Sequence, residues 1–507
     1  MPTCPRTLPF LLTISVLAGC AVGPDYNPPE TVLSARFLGQ EGVEEREGQD
    51  KANLQAWWTA FDDPMLARFV VLAVEQNLDI VQAATRLAQS RASLRQADAA
   101  LLPSANVNAQ AAKVYQSVET PLGQVLSVTP GFDRSGSAFE ANLGASWEID
   151  VFGGLRRGRE AARAEYVASE AGVVATRLAV AAQTADVYVM IRGLQARITI
   201  AEQQAETRRE LLDTIKFQYE KGVAAELQVN QAEGALAQVE AQIPALEAGL
   251  ESAMNALDVL LGAQPGTYRT EVSQVAPIPA APGLAQTGTP AEMIRRRPDL
   301  ILAEQRLVAA NARIGMAISE YYPKFSLGAL LGSATTLSSG NLFSSDASQA
   351  QGVLGLRWRL FDFDRVEAQI AAARGQEAEA LAAYRIAVLR ATDEVENAFS
   401  ALVKREAQVD ILARGESSLA RARENSLAAY ESGVVSLIEV LNADANLLQI
   451  SDTKAQAQTE TARAAIASFR ALGGGWDAPH PSTARTNLVN DLIRSMHSEY
   501  SKTESLD

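Results

Sequence analysis

Two stretches of the sequence share one pattern, "QYEKGVAAELQVNQAEGALA" at 218–237 and "AYESGVVSLIEVLNADANLL" at 429–448. Both contain a Tyr-x-x-Gly-Val turn, and the residues that match in register are Tyr219 with Tyr430 and Gly222 with Gly433. Glycine at this place supplies the backbone freedom that a tight turn at the end of a helix needs. Each stretch is therefore predicted to be a hairpin tip that joins two antiparallel helices.

Apolar residues before the first tip recur at alternating spacings of four and three. We call these the heptad positions: Val187, Ile191, Leu194, Ile198, Ala201, Ala205, Leu212, Ile215 and Tyr219, interrupted only by Arg208. A 3.5-residue repeat is typical of helices that supercoil against neighbours. A helix from about Leu155 to Tyr219 would be roughly 100 Å long at 1.5 Å per residue. Residues 365–430 and 434–472 are predicted to repeat the arrangement.

The helix after the first tip is predicted to be interrupted near Ile243 and Pro244. Proline has no backbone N–H and its ring clashes with the preceding turn, which costs about 3 kcal/mol inside a helix. A break at this point avoids that cost.

Four segments show the alternation of β-strands, at 104–114, 138–149, 324–332 and 353–360. Their lengths are close to the roughly 9–11 residues with which a tilted strand crosses a bilayer. Such alternation also occurs in soluble sheets. In a membrane, however, open sheet edges are excluded because unpaired backbone groups cost several kcal/mol each in hydrocarbon. Four strands are too few for a barrel, so a barrel would be shared, with eight strands from two chains or twelve from three.

The N-terminus has the pattern of a secretory signal. After Arg6 comes the apolar run "LPFLLTISVLAG", which is too short to span a membrane. Within it, "LAGC" at 17–20 resembles a bacterial lipobox, which implies that Cys20 becomes the lipid-bearing N-terminal residue after cleavage. Ala21 follows where Asp would resemble an inner-membrane retention signal, so the resemblance points to the outer membrane. Cys4 leaves with the signal, and the mature chain then has no intrachain disulfide.

The sequence also repeats outside the helices, since residues 79–103 align with 299–323. Each half reads as helix, strand, loop, strand, long helix, tip and helix. The predicted organisation is a signal peptide at 1–19, a lipidated N-terminal segment at 20–63, a first repeat at 64–289, a second repeat at 290–475 and a C-terminal tail at 476–507.

Composition excludes several classes of protein. With 47% hydrophobic and 21% charged residues and no run of about 20 apolar residues, the chain is not a helical membrane protein. A net charge of −15 argues against nucleic acid as a partner. The two histidines, His480 and His497, lie in the tail, and the sequence contains no nucleophile motif, phosphate-binding loop or Cys/His cluster. No catalytic activity, metal site or cofactor is expected.

Several motifs resemble the TolC-like outer-membrane efflux channels, in particular the lipoprotein branch that serves multidrug efflux pumps of the RND type. They are "CAVGPDYNPP" (20–29), "WWTAFDDPML" (57–66), "SWEIDVFGGLRRGREAARAE" (146–165), "RRRPDLILAEQRLVAANARIGMAISEYYPKFSL" (295–327) and both tips. The resemblance implies a mainly α fold with a membrane β part: a homotrimer with a 12-strand β-barrel, four strands per chain, continued by a 12-helix periplasmic α-barrel. It also implies an outer-membrane exit duct that works with a periplasmic adaptor and an inner-membrane pump.

In this family the tips form a gated periplasmic aperture, and some members place two Asp residues one turn apart after the second tip. Glu439 falls on the first of these positions and Asn442 on the second. Three Glu439 carboxylates would form a ring that attracts cations. Tyr430 matches a tyrosine of the tip contacts, Val435 stands where some members have a constricting charge, and Gln228 occupies another aspartate position in the first tip.

Two alternatives remain open. Within the channel class, the chain could serve type I protein secretion, although the lipoprotein features favour small-molecule efflux. From another class, a lipid-anchored periplasmic coiled-coil adaptor would explain the helices and Cys20 but not four alternating strands.

Overall fold

A computed structural model describes residues 21–30, 33–46, 53–284 and 289–476. The predicted signal peptide, Cys20 and the tail from residue 477 lie outside the described residues. The chain divides into two compact units. The strand unit contains Ala88–Ala168, Ala303–Tyr384 and the described residues up to Glu30; the helix unit contains the other described residues.

The strands come in two pairs, each followed by a long helix, and a short helix at Pro121–Ser127 lies between the first two strands, where a loop was predicted. The α-helices are α1 Gln40–Glu44, α2 Pro64–Gln76, α3 Leu78–Ala99, α4 Pro121–Ser127, α5 Gly154–Glu220, α6 Glu226–Glu240, α7 Ile243–Leu260, α8 Arg269–Val272, α9 Pro290–Arg296, α10 Pro298–Ser319, α11 Arg365–Glu431 and α12 Leu437–Ala471. The strands are β1 Ser104–Tyr115, β2 Ser135–Ile149, β3 Lys324–Thr335 and β4 Ser348–Arg357. Short 3-10 segments lie at Leu54–Phe61, Ser339–Asn341 and Ser345–Ala347.

The strand unit is built on one antiparallel sheet in the order β1-β2-β3-β4. A polar row crosses all four strands, where the paired residues are Asn108, Asn142, Gly332 and Gln349. The next row is apolar and consists of Val107, Leu143, Leu331 and Ala350. Because successive side chains of a strand point to opposite faces, the sheet has one polar and one apolar face.

On the polar face, a hydrogen bond connects β2 to β4 across a glycine of β3. Gln349 Nε2 donates to Asn142 Oδ1 at 2.7 Å, and Asn142 also bonds Glu140. A Cβ on Gly332 would lie 2.1 Å from Asn142 Oδ1, so only glycine leaves room for this contact between β2 and β4.

The prediction of a strand through residue 360 is wrong at its end. β4 stops at Arg357, which pairs with Lys324, the first residue of β3. Alternation continues to Leu360, but β3 offers no further residue to pair with. Trp358 instead donates its ring N–H to the carbonyl of Tyr321 at 3.0 Å.

Six of the nine heptad positions are buried, but Tyr219 at the tip is 47% exposed. Ala201, Ala205, Leu212 and Ile215 of α5 are buried in one cluster with residues of α6 and α12. α5 also has an 18-residue stretch apolar enough to cross a membrane by length and composition, but 56% of that stretch is buried inside the protein. Burial of this kind is typical of a core helix.

The break predicted at Pro244 is confirmed. α6 ends at Glu240, and α7 begins at Ile243 with Pro244 in its first turn. In the first turn of a helix the missing N–H of proline has no intrahelical partner to lose.

One contact occurs twice in the helix unit. The buried side chain of Asn77, just before α3, donates to the carbonyl of Leu260 at the end of α7, at 2.9 Å. The buried Arg297, just before α10, donates to the carbonyl of Ala471 at the end of α12, at 3.1 Å. Each returning helix is thus fastened by its last turn, where carbonyls lack intrahelical partners.

Candidate functional site: the hairpin tips

Both tips have the same backbone hydrogen bonds. In the first, Val223 N–H donates to Gln218 O at 2.8 Å and Gly222 N–H to Tyr219 O at 2.9 Å. In the second, the N–H of Val434 donates to Ala429 O and that of Gly433 to Tyr430 O, both at 2.9 Å. This pair of bonds defines a Schellman helix end, which needs a left-handed residue. The glycines supply it, with φ of +76° at Gly222 and +73° at Gly433.

Tyr430 joins the two hairpins through Gln218. Its hydroxyl donates to Gln218 Oε1 at 3.2 Å, and its ring packs on the buried cluster of the helix unit. Burial raises the pKa of Tyr430 above its usual range, so the hydroxyl keeps its proton. The side chain is at once a core contact and a link between α11 and α5.

Glu439 and Asn442 are exposed in the first turns of α12. Ser436 caps this helix with its backbone conformation but makes no side-chain capping bond. A carboxylate near the positive end of the helix dipole is stabilised. Residues three apart lie on one helix face, so the structure brings Glu439 and Asn442 together as a solvent-facing acid and amide.

Gln228 has a local role at the first tip. Gln228 Oε1 accepts from the backbone N–H of Ala225 at 3.0 Å and so caps the start of α6. Its amide is therefore engaged in capping, the structural role of a polar residue at the third helical position. Val435 is half-buried in the second hairpin tip.

A buried ion cluster near the tips was not anticipated from the sequence. Arg208 donates through Nε to Asp444 Oδ2 at 3.2 Å and through Nη1 to the carbonyl of Ala235 at 2.5 Å. Arg423 donates to the other oxygen of Asp444 at 3.3 Å. The side chains of Arg208 and Asp444 are only 4% and 2% exposed. Arg208, which interrupts the apolar spacing, therefore stays in the core, and that interruption was the one signal in the sequence.

Partly exposed ion pairs continue along the same helices. Asp452 binds Arg197 and Asp186 binds Arg463, each joining α5 to α12. Hydrogen bonds with Asp186 hold the pKa of Arg463 above its usual range. Charged side chains therefore join these helices in addition to apolar ones, both in the core and at the surface.

Comparison with known proteins identifies the family to which the chain is similar. The family described as "Outer membrane efflux protein" matches residues 70–263 and 289–474. Nodulation protein T of Rhizobium leguminosarum bv. trifolii is 30% identical over 481 residues, covering 93% of this chain and 97% of that protein. The pyoverdine export outer membrane protein OpmQ of Pseudomonas putida is 30% identical over 483 residues, covering 95% of this chain and all of that protein.

Solved structures share the fold. The outer-membrane channel OprN aligns with a TM-score of 0.81 at 30% identity, covering 91% of this chain and all of that one. The CmeC outer membrane channel of Campylobacter jejuni aligns with a TM-score of 0.83 at 22% identity, covering 94% and 98%. The chain therefore belongs to the outer membrane efflux protein family and is a protein of the outer membrane.

Proposed function

We propose that the chain is the outer-membrane exit duct of a tripartite efflux pump. It passively conducts drugs or other small toxic molecules from an inner-membrane pump and a periplasmic adaptor to the outside. Three copies share a 12-strand β-barrel and a 12-helix α-barrel, and Cys20 carries a lipid anchor.

The sheet is the observation that carries this proposal. It has one apolar and one polar face, and among the described residues β1 and β4 each pair with a strand on one side only. In hydrocarbon those free edges must find partners, and a closed barrel is the arrangement that satisfies them. The apolar face suits lipid and the polar face suits a water-filled lumen.

The duplicated contacts support two structural repeats, at 64–289 and 290–475. Asn77 and Arg297 hold equivalent helix ends, and the tip turns use the same bonds at Gly222 and Gly433. With two hairpins per chain, three chains supply twelve helical segments around one axis.

The second tip is proposed as the gated aperture, with Glu439 and Asn442 facing the pore. A ring of carboxylates at a narrow mouth attracts cations and repels anions. Cargo selection is expected upstream in the pump.

The experiment is to delete the gene and measure growth against dyes, antibiotics, detergents and metal salts. Relatives are named for exporting pyoverdine, for cation efflux and for toluene efflux, so the panel needs siderophore, metal and solvent members. Hypersensitivity to several unrelated organic compounds, restored by the wild-type gene, is expected. A strain whose copy lacks the export signal is the control. Sensitivity to one metal alone would instead indicate a metal-efflux channel, and unchanged growth would leave a redundant second channel or type I protein secretion as the explanations to test.

A further inference from the structure

Residues 21–26, which we call the N-terminal strap, lie in a fitted cradle of the strand unit. The strap enters the cradle through a backbone bond, since the N–H of Val22 donates to the carbonyl of Phe152 at 3.0 Å. At its other end, Tyr26 donates its hydroxyl to Glu304 at 3.2 Å. The strap is thus held at both ends by parts of the chain far away in sequence.

Arg157, in the first turn of α5, grips the middle of the strap. Its Nε donates to the carbonyl of Val22 at 3.2 Å, and its Nη2 to the carbonyl of Gly23 at 3.3 Å and to Asp25 at 2.7 Å. The Arg157 side chain is 6% exposed, although that of Asp25 is 88% exposed. A planar guanidinium holds several acceptors in one fixed arrangement, which a flexible ammonium does not.

Two glycines of the cradle make room for the strap. Gly153 has φ of +79°, and a Cβ there would lie 2.6 Å from the Cα of Ala21. A Cβ on Gly315 would lie 2.9 Å from the carbonyl oxygen of Val22. The backbones of strap and cradle therefore approach more closely than any larger residue would allow.

The cradle lies where the strands end and the helices begin, among aromatic side chains. Phe152 stacks on Tyr322 with ring centroids 4.6 Å apart. Trp147, near the end of β2, donates its ring N–H to the carbonyl of Leu101 at 3.0 Å. Trp and Tyr concentrate at the membrane–water interface, where one side of the ring is apolar and the other is wet.

We propose that the cradle of Phe152, Gly153, Arg157 and Gly315 is an intramolecular binding site for the strap, which fixes the attachment point of the lipid at this end of the sheet. Ala21 is peptide-bonded to Cys20, so the positional role rests on the lipidation proposed above. Arg157 acts as a positioning residue: it holds the anchor at the depth at which the aromatic residues meet the membrane surface. Without these contacts, the strap would allow the anchor to lie at many depths.

The test is hydrogen exchange of the strap in the full-length protein in lipid nanodiscs, with mass spectrometry of its N-terminal peptide. In the wild type, the Val22 amide is expected to exchange slowly. Arg157→Ala should speed that exchange at least tenfold while leaving acylation unchanged. Arg159→Ala is the matched control, because Arg159 lies on the same helix and pairs with Asp98 at 2.6 Å.

Arg157 also bonds Glu160, so a second variant guards against misfolding. Asp25→Lys alters only an exposed side chain and places a cation beside the guanidinium; it should also speed exchange. Rapid exchange of Val22 in the wild type would overturn the proposal, and so would unchanged protection in both variants.

A version exported on a non-lipoprotein signal separates the cradle from the lipid. Protection that persists without the acyl chain supports the binding site, whereas protection only in the acylated protein overturns it. If the wild-type N-terminal peptide carries no acyl group, the positional role falls with the proposed anchor, even where the strap is protected.

Discussion

At the scale of single residues, the buried cluster around Asp444 places charged groups in the core near the tips. One carboxylate serves two guanidinium groups, one of which is nearly fully buried. Removing one partner from a buried ion pair leaves an uncompensated charge, which costs more than the pair itself contributes.

Asp444→Asn is therefore expected to destabilise the helices near the tips by about 3 kcal/mol, because Arg208 is left buried without a carboxylate. Hydrogen exchange of peptides from α5 and α12 measures the effect as roughly hundredfold faster opening. Asp452→Asn is the control, since its pair with Arg197 is more exposed and should contribute less than about 1 kcal/mol. Equal effects of the two variants would contradict the prediction.

Glu439 belongs to the same scale, but its expected effect is on conduction. Glu439→Gln removes an exposed carboxylate from the proposed aperture and should reduce cation preference in planar bilayers, measured as a shift of the reversal potential in a salt gradient. Glu247→Gln, an exposed glutamate of α7, is the control. Unchanged selectivity would show Glu439 to be an ordinary solvated residue.

At the scale of elements, sequence reasoning was most successful for the long helices and the turns. The predicted helix from Leu155 to Tyr219 corresponds to α5 at Gly154–Glu220, because helical periodicity and a glycine stop are both local signals. The end of β4 was missed, because it depends on where β3 begins. The partner of Arg208 was missed for a similar reason: it lies 236 residues away.

The tip glycines give a test with opposite signs. Gly433→Ala should destabilise the second hairpin by about 1–2 kcal/mol, since an L-residue pays that cost in the left-handed region. Gly234→Ala, in the exposed middle of α6 with open space around its Cα, should stabilise by up to about 1 kcal/mol. Thermal unfolding of both variants checks the pair, and a stabilising Gly433→Ala would contradict the assigned turn.

The stabilisation by the ion pair between Glu416 of α11 and Lys454 of α12 should depend on pH. Burial alone would raise the pKa of Glu416, but hydrogen bonds from Lys454 and Ser451 outweigh it and hold the pKa below its usual value. The stabilisation is therefore present above the pKa of the unfolded chain and is lost as pH falls through the lower pKa of the folded state. Thermal unfolding from pH 7 down to pH 3 should show a smaller acid-induced loss in Glu416→Gln than in the wild type.

At the scale of the whole molecule, one sheet of four strands has two open edges, which a sheet that spans a membrane cannot keep. The strand pattern could be predicted from alternation, but the number of chains could not, because eight and twelve strands both close a barrel. The count of three came from resemblance to a family rather than from the physics of one chain.

We expect the purified protein in detergent to contain three chains. Light scattering combined with refractive index and absorbance measures the protein mass without the detergent. The heated and unfolded sample is the control for the mass of one chain. A particle of two chains would contradict the proposed 12-strand barrel.

The Asp444 cluster also has a consequence for how such a chain diverges. Replacing Asp444 alone leaves Arg208 charged in the core without a carboxylate, so we expect single substitutions at position 444 to be selected against. Arg423 is 29% exposed, and its loss leaves the pair of Arg208 and Asp444 intact. Positions 208 and 444 are therefore expected to change together among descendants of this protein, while position 423 varies more freely.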